Sequence, residues 1–142
     1  MKRLSIALLF VALFATMAFA GVQSFGEFSV DVADGWTATQ NGPTAVIVKD
    51  DKTASLSITV ASTQGYSLDD LAAAFAEEFK KTFASVGTPE KDADGDYTFS
   101  AVTPNGVETR FLLAEDDGEY LMFAITGEDD DISTMISSIQ EN

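Results

Sequence analysis

The sequence predicts a single α+β domain, an antiparallel β-sheet of about six to seven strands with helices on both faces, an α/β/α sandwich. Three observations predict it. Apolar and polar residues alternate at 28–32 and 55–60, the period of a half-buried strand. From residue 67 to 86 the apolar period lengthens to about 3.6, that of a helix with one buried stripe. Short runs of Gly, Pro, Asn and Asp separate the apolar segments at hairpin spacing.

The N-terminus reads as a secretory leader. Lys2 and Arg3 form a basic start, residues 4–14 an apolar stretch, and Ala18-Phe19-Ala20 a small-x-small cleavage motif. Residues 1–20 are therefore expected to be a signal peptide, and residues 21–142 one α+β domain. Removing two basic and no acidic residues takes the formal net charge from −15 to −17.

Phe28, Val30 and Val32 alternate with Ser29 and Asp31, and Asp34-Gly35 then supplies a turn toward a hairpin partner starting at Trp36. After Asn41-Gly42-Pro43, residues 45–48 form a short apolar run, and Leu56, Ile58 and Val60 alternate with Ser55, Ser57 and Thr59. Four strands thus precede any helix. Ser67 is a good N-cap, with Asp69 and Asp70 in the first turn, where the helix dipole favours negative charge. Leu68, Leu71, Ala72, Phe75, Phe79 and Phe83 then recur at helical steps, predicting one long mid-chain helix. Its expected end is near Val86, with Gly87 as a left-handed cap and Pro89 as a stop.

Three strands are expected at 97–102, 107–114 and 119–125, joined by turns at Pro104-Asn105-Gly106 and Asp116-Asp117-Gly118. The last two are apolar on both sides, which requires cover on both faces. The long helix supplies one layer, and a C-terminal helix with Ile132, Met135, Ile136 and Ile139 on one stripe supplies the other.

Composition excludes several kinds of chemistry. Without cysteine there is no disulfide, thiolate nucleophile or lipid-anchoring cysteine, and without histidine no imidazole triad or His-ligated zinc. An excess of 23 acidic over 8 basic residues opposes binding to nucleic acid or anionic lipid.

The order of elements, the opening Phe28-Ser29-Val30-Asp31-Val32-Ala33-Asp34-Gly35-Trp36, the helix start Ser67-Leu68-Asp69-Asp70-Leu71 and the closing Ile136-Ser137-Ser138-Ile139 resemble the PsbP-like fold group. That group includes a photosystem II extrinsic subunit, DcrB-type bacterial envelope proteins and a Ran-binding nuclear import factor. Ala33 stands where the family's turn usually has proline. The resemblance implies an antiparallel sheet between helical layers across nearly all of residues 21–142. It carries over no catalytic set, since members bind different partners.

The sharpest chemical pattern is Asp92-Ala93-Asp94-Gly95-Asp96, whose alternating carboxylates suit a hard cation such as calcium. Asp92, Asp94 and Asp96 are the candidate metal ligands. Continued as an EF-hand loop the pattern fails, because Tyr97 stands where glycine is needed and Thr103 where a bidentate glutamate is needed. The bland alternative is a solvated acidic turn. Glu128-Asp129-Asp130-Asp131 reads mainly as the capped first turn of the last helix, and Glu115-Asp116-Asp117 as a hairpin tip. A joint role arises if these acidic loops cluster at one end of the sheet. Trp36 reads as a half-buried core anchor, Phe75, Phe79 and Phe83 as core, and Arg110 as a strand residue pairing with Glu108 or a cross-strand acid.

No nucleophile elbow, phosphate loop or dinucleotide fingerprint appears. The expected function is a non-catalytic, acidic accessory or binding module of the bacterial cell envelope, periplasmic or secreted, with another envelope protein as partner. Nucleic acid and, after leader removal, membrane are not expected partners. Two rivals stand beside it, a low-affinity calcium binder and a small carboxylate-based hydrolase.

Overall fold

The computed structural model describes residues 20–142, so the predicted leader, except Ala20, lies outside the described residues. The elements are β1 (Gly21–Ser24), β2 (Phe28–Val32), β3 (Trp36–Asn41), β4 (Thr44–Lys49), β5 (Ser55–Ser62), α1 (Leu68–Phe79), β6 (Ser85–Val86), β7 (Glu90–Lys91), β8 (Tyr97–Val102), β9 (Glu108–Asp116), β10 (Glu119–Thr126), α2 (Asp130–Ser137) and β11 (Gln140–Glu141). The result is an α+β fold with antiparallel pairing throughout.

The main sheet has eight strands in the order β3, β4, β5, β10, β9, β8, β6, with β7 also on β8. From β5, at its centre, the chain crosses through α1 to the far edge, and the meander of β8, β9 and β10 brings it back. A second, three-stranded sheet pairs β2 with β1 and β11.

Strand alternation decides the two faces. On one, Trp36, Ala38, Ala45, Ile47, Leu56 and Ile58 are buried, and Phe123 joins them opposite Ile58. Phe28, Val30 and Val32 of β2, with Ile132 and Met135 of α2, close over this surface into one cluster. Full burial of side chains this size is worth about 1.5–3 kcal/mol each, so this cluster is the main source of stability. The other face is covered by α1 over β8 and β9. There Phe75, Phe79 and Phe83 pack on Phe99 and Phe111, with Met122 and Ala124 of β10 alongside. The two layers are offset: one lies toward β3, β4 and β5, the other toward β8 and β9 on the opposite side.

Several expectations change. The main sheet has eight strands rather than six or seven, and β1 and β11 were unforeseen. β2 does not form a hairpin with β3, because after the Asp34-Gly35 turn the chain passes from one sheet to the other. Both helices are short, 12 residues for α1 and 8 for α2. α1 starts as expected, with Ser67 Oγ accepting from Asp70 N–H at 3.1 Å, but it stops at Phe79. A last helical bond, Phe83 N–H to Phe79 C=O at 2.8 Å, keeps Phe83 on the stripe. Beyond it, Ala84 N–H donates to Val102 C=O at 2.8 Å and Gly87 N–H to Ser100 C=O at 2.7 Å. The open edge of β8 thus takes these donors from the helix, tertiary pairing outweighing helical propensity. Gly87 is no left-handed cap. It lies so close to β8 that an added Cβ would sit 3.2 Å from Ser100 O.

Candidate functional site

At the start of α2, Asp129 is the N-cap, its Oδ1 accepting from Asp131 N–H at 2.9 Å. Its Oδ2 accepts from Lys49 Nζ at 2.5 Å, and Asp131 Oδ2 accepts from the Trp36 indole Nε1–H at 3.0 Å. Lys49 and Trp36 lie opposite each other on β4 and β3. Two carboxylates of one acidic turn therefore fasten α2 to the main sheet. The hydrogen bond from Lys49 is the main reason the Asp129 carboxyl titrates below its ordinary value, with the Asp131 N–H assisting. The same bond raises Lys49. Trp36 is the core anchor its sequence position suggested, and at 2% exposed it is fully rather than half buried.

The aspartate-rich turn lies elsewhere. Asp92 Oδ1 accepts from the backbone N–H of Asp94 at 2.9 Å and of Asp96 at 3.0 Å. Those bonds shape the turn and occupy an oxygen that a cation would use. Partial desolvation, then the charges of Asp92 and Asp94, raise the Asp96 carboxyl. Asp94 and Asp96 share a shallow concavity of about 540 Å³ with Asp69 at the start of α1 and the hairpin tip Glu115, Asp116 and Asp117. Two of the three acidic loops thus meet at one end of the sheet, while the third is spent on α2. In that concavity Asp69 accepts from Tyr97 Oη at 2.5 Å and Lys91 Nζ at 3.4 Å, which lower its pKa in that order of weight. Among the described residues, no group of three or more acidic side chains is placed to hold a metal ion.

The offset layers leave two quarters of the main sheet without a packed partner layer among the described residues. The first is the outer face of β3, β4 and β5. Thr37, Thr39, Thr44, Val46, Val48, Ser55, Ser57 and Thr59 stand there, half-buried where their inward neighbours are buried. None is charged, and Thr44 and Thr59 share a hydroxyl hydrogen bond of 2.7 Å across the strands. Sequence alternation marked Ser55, Ser57 and Thr59 as outward-facing, but only strand order joins them to β3 and β4.

The second quarter lies diagonally opposite, on the far face of β8 and β9. Arg110 stands directly across from Ser100 on β8 and from Ile125 on β10. With Thr98, Leu112 and the edge residues Thr88 and Glu90 they line an open groove of about 630 Å³. The expected Arg110–Glu108 pairing is absent: among the described residues Arg110 makes no ion pair within 4.0 Å. No helix among the described residues is long and apolar enough to cross a membrane.

No family model matches the chain, and no curated protein matches it by sequence. Among solved structures it is similar to the solution structure of cyanobacterial PsbP (CyanoP) from Synechocystis sp. PCC 6803. The identity is 13%, the TM-score 0.51, and the match covers 88% of this chain and 95% of that one. At this identity the likeness concerns the fold, and it bears out the PsbP-like resemblance at that level.

Proposed function

We propose that this chain is an exported, acidic, non-catalytic binding module of the bacterial cell envelope, which docks on another envelope protein through the outer face of β3, β4 and β5. The observation that carries this reading is the absence of charge on that face in a chain with 23 acidic residues. Charge is depleted at the centre of protein interfaces and retained at their rims, since a desolvated, unpaired charge opposes association. Here Asp50, which accepts from Thr37 Oγ1 at 2.8 Å, sits at the edge of the uncharged area. Strand spacing makes that area about 15 by 20 Å, the size of an interface centre rather than a whole interface.

Export rests on the leader motif. β1 begins at Gly21, so a cut after Ala20 removes no residue of a described strand or helix. An intact mass of the exported protein equal to residues 21–142 is the expected result. A non-catalytic role is supported by the sequence, which has neither histidine nor cysteine and no nucleophile elbow, phosphate loop or dinucleotide fingerprint.

The docking face is tested with Ser57→Arg, which places a charge at its centre opposite Val46. A protein captured from envelope extract by the wild type and cross-linked through this face is lost with Ser57→Arg at unchanged melting temperature. Asp116→Asn, at the distant hairpin tip, leaves capture intact. Equal capture by Ser57→Arg, or enzymatic turnover abolished by a single carboxylate substitution, overturns the reading.

A further inference from the structure

We infer that the groove on the far face of β8 and β9 binds a small monocarboxylate with an apolar body, and that Arg110 takes the carboxylate. The described residues hold six cationic side chains. Lys49, Lys80, Lys81 and Lys91 are in ion pairs. Of the other two, Lys52 projects from an exposed turn, whereas Arg110 lines a concavity. A guanidinium kept out of ion pairs with the described residues of so acidic a chain is available to a ligand. Its planar fork matches the two oxygens of a carboxylate.

The surroundings select the ligand further. The hydroxyls of Thr88, Thr98 and Ser100 line the same groove and make no hydrogen bond with other described residues, leaving them free to donate to an anion. Leu112 and Ile125, both half-buried, flank Arg110 on its own face and offer an apolar floor that continues into the main core. Glu90 and Glu108 also border the groove. With one arginine against two glutamates the local charge is negative, which penalises a dianion such as phosphate more than a singly charged carboxylate. A groove of about 630 Å³ falls in the usual range of small-molecule sites, about 300–1,000 Å³. It lies on the sheet face opposite the proposed docking surface, so the two readings stand or fall separately.

The test is a titration of the purified, ¹⁵N-labelled protein with hexanoate, followed by NMR. Hexanoate, up to about 10 mM, should shift the resonances of Ser100, Arg110 and Leu112 saturably, as expected of a millimolar-range site. Hexanol, with the same body and no carboxylate, and inorganic phosphate should leave them in place. Arg110→Gln should weaken binding at least about tenfold, the scale of one lost charge-assisted pair. Arg110→Lys, which keeps the charge and loses the fork, should also weaken it and serves as the test if the Gln variant misfolds. The inference is overturned by the absence of a saturable shift, by equal shifts with hexanol or phosphate, or by undiminished affinity in a folded Arg110 variant.

Discussion

Phe79→Ala should be among the most damaging substitutions on the α1 side of the sheet. Phe79 ends the helix, and its ring meets four others: Phe111 stacked at 4.6 Å, Phe83 edge-on at 5.8 Å, and Phe75 and Phe99 at 6.1 Å. Truncation of a core phenylalanine costs about 3–5 kcal/mol. Phe79 is half-buried, which lowers the transfer part, but four ring contacts, each worth about 0.5–1.5 kcal/mol and not additive, offset some of that. The expected loss is about 2–4 kcal/mol. Phe83 is also half-buried and, among the described aromatic rings, meets Phe79 and Phe111, both at 5.8 Å, so Phe83→Ala should cost about 1–2 kcal/mol. Urea unfolding followed by circular dichroism measures both, and at this size each kcal/mol lowers Tm by about 3–5 °C. A Phe79→Ala loss no larger than that of Phe83→Ala, or below about 1 kcal/mol, refutes the assignment of Phe79 as the hub.

Gly127→Ala should be far more destabilising than Gly118→Ala. Both glycines have a left-handed backbone, φ +78 and +79, but a Cβ at Gly127 would lie 2.3 Å from Thr53 O while one at Gly118 meets open space. The Gly118 variant should lose about 1–2 kcal/mol and the Gly127 variant more, with equal Tm values contradicting the close approach. Asp129→Asn keeps an N-cap side chain but removes the charge that Lys49 holds, so it should lower Tm at neutral pH. Because Asp129 titrates below its ordinary value of 3.8 in the fold, the wild-type advantage is full above that value and fades as pH falls through the folded-state pKa. Lys49 is raised above 10.5, so its side of the pair is lost only in stronger alkali. Melting curves in which the difference between the two proteins widens below pH 4 would contradict the linkage. Sodium chloride should raise Tm by screening the net charge of −15, and calcium at equal ionic strength should add nothing, since Asp92 is engaged by its own turn. A calcium-specific rise would support the metal reading of Asp92, Asp94 and Asp96.

Much of the fold was legible because local patterns report local needs. The β8 to β10 meander, the alternation in β2 and β5, the Ser67 cap and the burial of Ile132 and Met135 follow from periodicity and turn chemistry within a few residues. What failed to show were features set by distant backbone. The end of α1 depends on the edge of β8, and the same apolar stripe fits a helix through residue 86 or a helix to Phe79 followed by a strand. β1 and β11 are strands because β2 offers them its edges, since four- and two-residue segments carry too little pattern of their own.

The candidate sites divide the same way. Sequence by itself determined the acidity, the lack of thiol and imidazole chemistry, the capping use of the acidic run at 128–131 and the core place of Trp36. Only tertiary structure decided that Asp131 receives the Trp36 indole, that Asp94 and Asp96 meet the Glu115 to Asp117 tip, and that Arg110 escapes its expected partner. The offset of the two covering layers produces both open quarters of the sheet. That offset depends on which strand pairs with which, a choice made by the burial of both sheet faces at once, which no segment read alone expresses.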